Sequence, residues 1–202
     1  VELETPASGE ALFEGNSIFK RTKSEAKDAA RQIQIIFQDP YSSLNPKMKI
    51  GDAIIEPMMV HGLYRDKKGR REKMLSLLDQ VGLLPEHANR YPHEFSGGQR
   101  QRISIARALG LQPQILICDE SVAALDVSVQ SQVLNLLKDL QKTLNLSMIF
   151  ITHDMSVVNY IADRICVMHK GKFVETGTTS QVIHHPVESY TKDLIEAIPK
   201  WS

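Results

Sequence analysis

Three groups of residues in this chain could do chemistry together. Ser96-Gly97-Gly98-Gln99 offers a hydroxyl and backbone amides with almost nothing in front of them, and Arg100-Gln101-Arg102 carries the run onward as a helix. Unpaired N–H groups and the helix dipole at such a start favour an anion such as a terminal phosphate, and glycine lets the backbone come close to it. The second group is Asp119-Glu120, which ends the apolar run Ile115-Leu116-Ile117-Cys118. Successive strand side chains diverge, so two adjacent carboxylates at a strand end can serve as a magnesium ligand and a base. The third is His153, which follows the strand-like Met148-Ile149-Phe150-Ile151. Each has a plain alternative: serine is a common N-cap, acids after strands cap helices, and a histidine at a strand end is often structural. Their occurrence in one order in one chain favours phosphate chemistry.

The elements that must position these groups alternate along the chain. A buried strand is expected over Ile33 to Phe37, ending at Gln38, and Asp39 to Pro46 reads as loop with two prolines. Ile50 to Leu84 turns helical, with Met74, Leu75, Leu77, Leu78 and Val81 as one apolar stripe. Helices are expected over Gly98 to Leu109, Ser128 to Leu144 (Val129, Val133, Leu136, Leu137, Leu140 and Leu144 inward) and Met155 to Ala162. Strands are expected over Ile115 to Cys118, Met148 to Thr152 and Arg164 to His169, with a peripheral antiparallel pair around Gly15-Asn16. Apolar strands spaced by helices predict an α/β fold with a mostly parallel sheet covered on both faces. In such sheets the working residues gather at the carboxyl ends of strands, where Gln38, Asp119, Glu120 and His153 all fall.

Composition narrows the partners. The 24 basic and 24 acidic residues among 202 cancel, which gives no electrostatic case for nucleic acid or an anionic membrane as main partner. The basic run Arg65 to Lys73 reads as a solvated helix face in preference to a nucleic-acid patch. No apolar stretch approaches the ~18 residues of a membrane helix. Cys118 and Cys166 lie in apolar strand-like runs with no metal-binding spacing, and both are expected to be buried, reduced thiols. His184-His185 has no partner pattern and reads as surface.

The run Phe95-Ser96-Gly97-Gly98-Gln99, followed by the acid pair and then the histidine, resembles the ATP-binding-cassette ATPases, whose signature reads Leu-Ser-Gly-Gly-Gln. Phe95 replaces the leucine here, and Tyr91-Pro92-His93-Glu94 before it is similar to the oligopeptide and dipeptide importer branch. The resemblance implies a P-loop NTPase-like core, ATP and Mg²⁺ as cofactors, and ATP hydrolysis that energises import. Asp119 then corresponds to the Walker B acid near Mg²⁺, and Glu120 to the residue that polarises the attacking water. Gln38 corresponds to the Q-loop residue, which contacts metal or water and reports nucleotide state to a membrane partner. His153 corresponds to the switch histidine at the γ-phosphate, and Ala124-Leu125-Asp126 to the D-loop at the dimer interface; Asp126 could also cap the following helix. Ser121-Val122-Ala123 departs from the family's usual Pro-Thr-Ser. Ser96, Gly97, Gly98 and Gln99 would touch nucleotide held by a second ATPase subunit, in a homo- or heterodimer. Transmembrane permease subunits would dock near Gln38 to Pro46 and the insert, placing the chain on the cytoplasmic face of the membrane, with no nucleic-acid partner.

By the same resemblance residues 1–38 are a remnant of the N-terminal β part, 39–95 the Q-loop and helical subdomain, 96–178 the core and 179–202 a helical extension. Pro186 and Tyr190-Thr191 are loosely similar to a His-Pro-Tyr-Thr run of peptide importers. A DNA- or ribosome-associated cassette protein, or a non-catalytic donor of the signature motif, are the alternatives.

The phosphate loop Gly-x-x-x-x-Gly-Lys-Ser/Thr is absent from the 202 residues: the only Gly-Lys pair is Gly171-Lys172, with Cys166 at the first glycine and Phe173 next. Thr5-Pro6-Ala7-Ser8-Gly9-Glu10 matches a segment that follows this loop in the family, so Val1 is expected to fall in the helix after it, in a truncated chain lacking the first core strand. That loop supplies most contacts to the β- and γ-phosphates. The purified 202-residue chain is therefore expected to bind ATP poorly and to hydrolyse it negligibly; magnesium-dependent turnover would refute this.

Overall fold

A hairpin opens the part of the chain that the computed structural model describes, residues 7–40 and 43–197. Its strands are β1 (Leu12–Phe13) and β2 (Asn16–Ser17), joined by Glu14 (φ 51°) and Gly15 (φ 76°). The turn sits one residue earlier than the sequence predicts. Positive φ at both centres is the type I′ loop, whose twist matches that of the strands, and Asn16 instead pairs with Phe13. Helix α1 (Lys23–Gln32) starts in a capping box, Glu25 N–H donating to Thr22 Oγ1 at 3.3 Å and Thr22 N–H to Glu25 Oε2 at 2.7 Å.

α1 leads directly into β3 (Ile33–Ile36), which runs parallel to β4 (Ile115–Asp119) with Ile33 opposite Ile115 and Ile36 opposite Cys118. β5 (Ser147–Ile151) completes the order β3-β4-β5. Gln114 N–H donates to Gln32 O at 2.8 Å and Ser147 N–H to Gln114 O at 3.0 Å, so the three chains enter the sheet level with one another. The chain divides into two compact units, Val1–Ile149 and Phe150–Ser202.

Between β3 and β4 lies the helical insert. The helical stretch expected from Ile50 to Leu84 is two helices, α2 (Ile50–Val60) and α3 (Lys67–Gln80). Both end in the same device. Gly62 N–H bonds Met59 O at 3.0 Å and Leu63 N–H bonds Met58 O at 2.8 Å; Gly82 and Leu83 repeat this on Asp79 and Leu78, at 2.9 and 2.8 Å. These are Schellman ends, which place glycine in the left-handed region. Short 3₁₀ turns at Pro85–Asn89 and Pro92–Glu94 lead to α4 (Gly97–Leu109). α2 packs on both α3 and α4, burying Ile50, Ile54 and Met58 beside Leu77, Leu78 and Val81. Full burial of such a side chain is worth about 1.5–3 kcal/mol. The basic face of α3 is exposed, with Lys68 Nζ 3.9 Å from Glu72 Oε1. Helix α5 (Val127–Leu144) buries Val133, Leu134, Leu137 and Leu140. Leu144, expected inward, is exposed, because α5 ends there at the left-handed Asn145 (φ 51°).

In the second unit α6 (Met155–Ile161) precedes β6 (Arg164–His169). β6 pairs antiparallel with β7 (Lys172–Thr178), across Lys170 (φ 47°) and Gly171 (φ 77°). Sequence reading leaves β7 unassigned, since its polar residues hide a strand whose support comes from its partner. β6 alternates: Ile165 and Val167 are buried, while Cys166 is exposed, contrary to expectation. Cys118 is buried as expected, and burial pushes its thiol up to about 12, an unreactive form. α7 (Thr179–His184) and α8 (Ser189–Glu196) follow. Val182 packs with Ile165 and Val167, and the His169 and Tyr190 rings lie 3.9 Å apart. Among the described residues no helix is long and apolar enough to cross a membrane. The expected helix at Val1, Thr5-Pro6 and Tyr41-Ser42 of the loop lie outside the described residues.

Glu175 on β7 fastens the start of α8. Its carboxylate accepts N–H bonds from Val187 at 2.9 Å and Glu188 at 3.1 Å. The Thr191 hydroxyl, then the Val187 N–H, hold the carboxyl below its ordinary value. The stability this gives is full above the pKa of an unfolded carboxylate and fades as pH falls through the lowered folded value. Glu175→Gln is therefore expected to speed amide exchange in α8 at neutral pH, whereas the wild-type chain loses that protection only in acid. Identical exchange at neutral pH would exclude this anchor.

Candidate functional site

The signature residues stand at the start of α4, and local hydrogen bonding fixes them. Gln99 N–H donates to Ser96 Oγ at 3.3 Å while Ser96 N–H donates to Gln99 Oε1 at 3.0 Å, a complete capping box. The N-cap alternative is thus realised, yet it does not exhaust the site. The Ser96 hydroxyl proton remains to be donated, and the amides of Gly97 and Gly98, in the first helical turn, have no intrahelical acceptor.

What precedes the helix is equally fixed. Phe95, in place of the family's leucine, is buried, with its ring edge-on to His87 (centroids 5.3 Å, 90°) and the Arg90 guanidinium 4.9 Å from its centroid. Arg90 also donates to Glu94 Oε1 at 3.3 Å and to Glu94 O at 2.9 Å, and Tyr91 N–H donates to Glu94 Oε2 at 2.6 Å. The Tyr91 N–H holds the Glu94 carboxyl below its ordinary value, with Arg90 adding to it. Arg100 Nη1 donates to Phe95 O at 2.6 Å. Sequence reasoning gave Arg90 and His87 no role; the only available signal was the Tyr91-to-Glu94 spacing of a capped turn.

The two signature glycines differ. A Cβ on Gly98 would stand 2.2 Å from Val129 Cγ1, whereas one on Gly97 would meet Leu125 Cδ2 at 3.6 Å, an ordinary contact. Gly98 is therefore demanded by the packing of α4 on α5, and Gly97 faces the Ala124-Leu125-Asp126 loop. Asp126 occupies the N-cap position of α5 without a side-chain cap bond, so capping is not the use of its exposed carboxylate.

The acids close β4. Asp119 is its last residue, and Glu120 follows at φ 46°. A non-glycine residue there costs about 1–3 kcal/mol and persists where the surroundings impose it; Ala123 N–H on Glu120 O at 3.0 Å closes the turn. Ile36 lies opposite Cys118 in a parallel pair, so Gln38 and Glu120, each two residues further on, leave the sheet at one edge on neighbouring strands. Gln38 is exposed; Asp119 and Glu120 are half-buried. The first unit thus groups Gln38 with Asp119 and Glu120, and Ser96 to Gly98 with Leu125 and Val129. His153 belongs to the second unit, exposed, two residues beyond β5, and Asp154 beside it caps α6 by accepting from Ser156 N–H at 2.8 Å. Among the described residues no cluster of three His, Cys, Asp or Glu could hold a metal alone. Magnesium is commonly held by one or two carboxylates with waters and phosphates, and the hard oxygens of Asp119 at an open edge fit that mode.

The ABC transporter family profile matches residues 1–123. The chain belongs to the ABC transporter family. It is 50% identical, over 98% of its length, to the oligopeptide transport ATP-binding protein OppF of Bacillus subtilis (strain 168), of which it covers 66%. It is likewise 50% identical, over 98% of its length, to the dipeptide transport ATP-binding protein DppF of Escherichia coli (strain K12), of which it covers 59%. This ABC chain thus spans about three-fifths to two-thirds of the curated relatives it matches. A solved ATP-binding cassette, dimeric and in a post-hydrolysis state bound to ADP and Pi, superimposes with a TM-score of 0.74 at 28% identity, over 88% of this chain and 76% of that one. Both the family and the α/β fold read from the sequence are borne out.

Overpacking by one methyl costs about 1–3 kcal/mol, and the β-branched Val129 has little rotamer freedom in a helix. Gly98→Ala is expected to lose that much stability in urea denaturation, whereas Gly97→Ala is expected to lose none. The reverse order would refute the packing assigned to Gly98.

Proposed function

We propose that this ABC chain is the ATP-binding and ATP-hydrolysing subunit of an importer of oligopeptides or dipeptides. It works at the cytoplasmic face of the membrane with a second ATPase subunit and transmembrane permeases. The observation that carries the reading is the shared sheet edge of Gln38, Asp119 and Glu120, in a unit that also presents the Ser96-Gly97-Gly98 helix start. The names of the relatives support the solute class.

In this reading Ser96 Oγ–H and the amide of Gly97 receive the terminal phosphate of ATP held by the partner subunit, with Gly98 and Gln99 completing the turn. Asp119 and Gln38 would hold Mg²⁺, which when bound neutralises phosphate charge. Glu120 accepts a proton from the attacking water, and its fixed backbone turn keeps the carboxylate at the strand end. His153 donates to the γ-phosphate, and Asp126 reaches the dimer interface. The 202 residues contain no Gly-Lys-Ser/Thr phosphate loop, so by themselves they offer ATP only the contacts above. A cleft of about 590 Å³ runs along β3 from Ile33 to Phe37 and reaches Ser43 and Pro57; its nearness to the Q-loop is in keeping with permease docking there.

Glu120→Gln keeps the shape of the side chain and removes the base. In the full-length subunit with its permeases, ATP hydrolysis is expected to fall about 10²–10⁴-fold, with ATP still bound and dipeptide uptake abolished. Phosphate release at the wild-type rate would refute the role of Glu120; wild-type vesicles that hydrolyse ATP without taking up peptide would refute the solute class.

A further inference from the structure

Arg107 joins three parts of the first unit that lie far apart in sequence. It sits near the end of α4, the helix whose start carries Ser96 to Gly98. Its Nη1 donates to the backbone carbonyl of Ser43 at 2.8 Å, across 64 residues, and its Nη2 lies 3.7 Å from Glu56 Oε2 on α2. Ser43 in turn donates its hydroxyl to Asp39 O at 3.0 Å, and Asp39 is bonded in the chain to Gln38. Two hydrogen bonds therefore lead from the signature helix to the residue beside Gln38. A charged donor on a neutral carbonyl makes a strong bond, and the guanidinium holds its fork geometry.

α4 is packed along its whole length. It is buried at Gly98, Gln101, Ile103, Ile105, Ala106, Ala108 and Leu109. A Cβ on Gly110, just past its end, would lie 2.8 Å from Met58 Cε on α2. In the proposal a displacement at the signature end is carried along this packed helix to Arg107, where the contact with Ser43 either follows or breaks. The ion pair with Glu56 is a different matter. It is long, its partners are 38% and 49% exposed, and exposed pairs contribute little.

We infer that Arg107 is a positioning residue, which ties the Q-loop to the signature helix through the Ser43 carbonyl so that Gln38 and Ser96 to Gly98 move as one. The inference rests on the ATPase reading above. Arg107 stands in the last turn of α4, at the end opposite Ser96 to Gly98, and spends its guanidinium on Ser43 O and Glu56, so the expected signature is a loss in kcat without a matching change in KM, coupled to Gln38.

The test measures ATPase kinetics of the full-length subunit assembled with its permeases, with melting temperature as a parallel readout. For Arg107→Ala, kcat is expected to fall roughly tenfold with KM within about twofold, in the range usual for coupling energies between sites. The double variant Arg107→Ala with Gln38→Ala should be no slower than Gln38→Ala alone, because the two act through one loop. Arg107→Lys, which keeps a cationic donor, should recover part of the rate, and Glu56→Gln should stay within about twofold of wild type. Losses that multiply across Arg107 and Gln38, an unchanged kcat in Arg107→Ala, or an equal loss in Glu56→Gln would each overturn the proposal. Should Arg107→Ala fail to assemble, Arg107→Gln, which keeps one N–H for the carbonyl, is put through the same cycle. Wild-type protein with no ATPase activity would instead strike at the ATPase reading, which the wild-type arm tests separately.

Discussion

Helix α4 can lie where it does only because position 98 carries no side chain, and most of the candidate site follows from that contact. With Val129 Cγ1 only 2.2 Å from where a Cβ would stand, α4 settles directly against the start of α5. The signature turn is thereby brought to the loop that begins α5, with Gly97 facing Leu125. The same seating buries one flank of α4 along its length. A glycine commonly read as making room for phosphate is here first a glycine that makes room for a helix.

Polar bonding then sharpens what packing has placed. Ser96 and Gln99 satisfy each other, so the turn is shaped before any ligand arrives, and Glu94 with Arg90 does the same for the turn before it. Phe95 meets the His87 ring at right angles and the Arg90 guanidinium within cation–π distance, contacts by which an aromatic residue serves where leucine is usual. Glu120 is the opposite case. Its left-handed backbone is unfavourable locally, and the turn that closes on Ala123 holds it there. Strain at a strand end that carries the proposed base fits the tendency of such outliers to mark working sites.

Legibility in the sequence tracked how local each feature is. The Gly62-Leu63 and Gly82-Leu83 helix ends, the Thr22 and Ser96 capping boxes and the apolar run of β4 all rest on interactions within a few residues. Their signals are local, yet only the Ser96 start and the β4 run are assigned from the sequence; α1 is left unassigned there, and α2 and α3 read as one stretch. The hairpin turn lies one residue before the Gly15-Asn16 that the sequence suggests, because Gly15-Asn16 and Glu14-Gly15 are nearly equal local choices and only strand pairing separates them. β7 went unread since its strand character comes from β6. Cys166 was expected inside because its neighbours are apolar, whereas the pleat of β6 turns it outward.

The sequence by itself determined the order of the chemical groups, the α/β alternation and the starts of α4, α5 and α6, since those depend on bonds and periodicities that close within one or two turns. Only the tertiary structure decided that Gly98 answers to Val129, that Phe95 is held by His87 and Arg90, and that Arg107 reaches the Ser43 carbonyl. Parallel register likewise put Gln38 and Glu120 on one edge. Such contacts join residues tens of positions apart. Their partners are selected by packing and by the need to satisfy buried polar groups, and no local pattern of residue types encodes that selection.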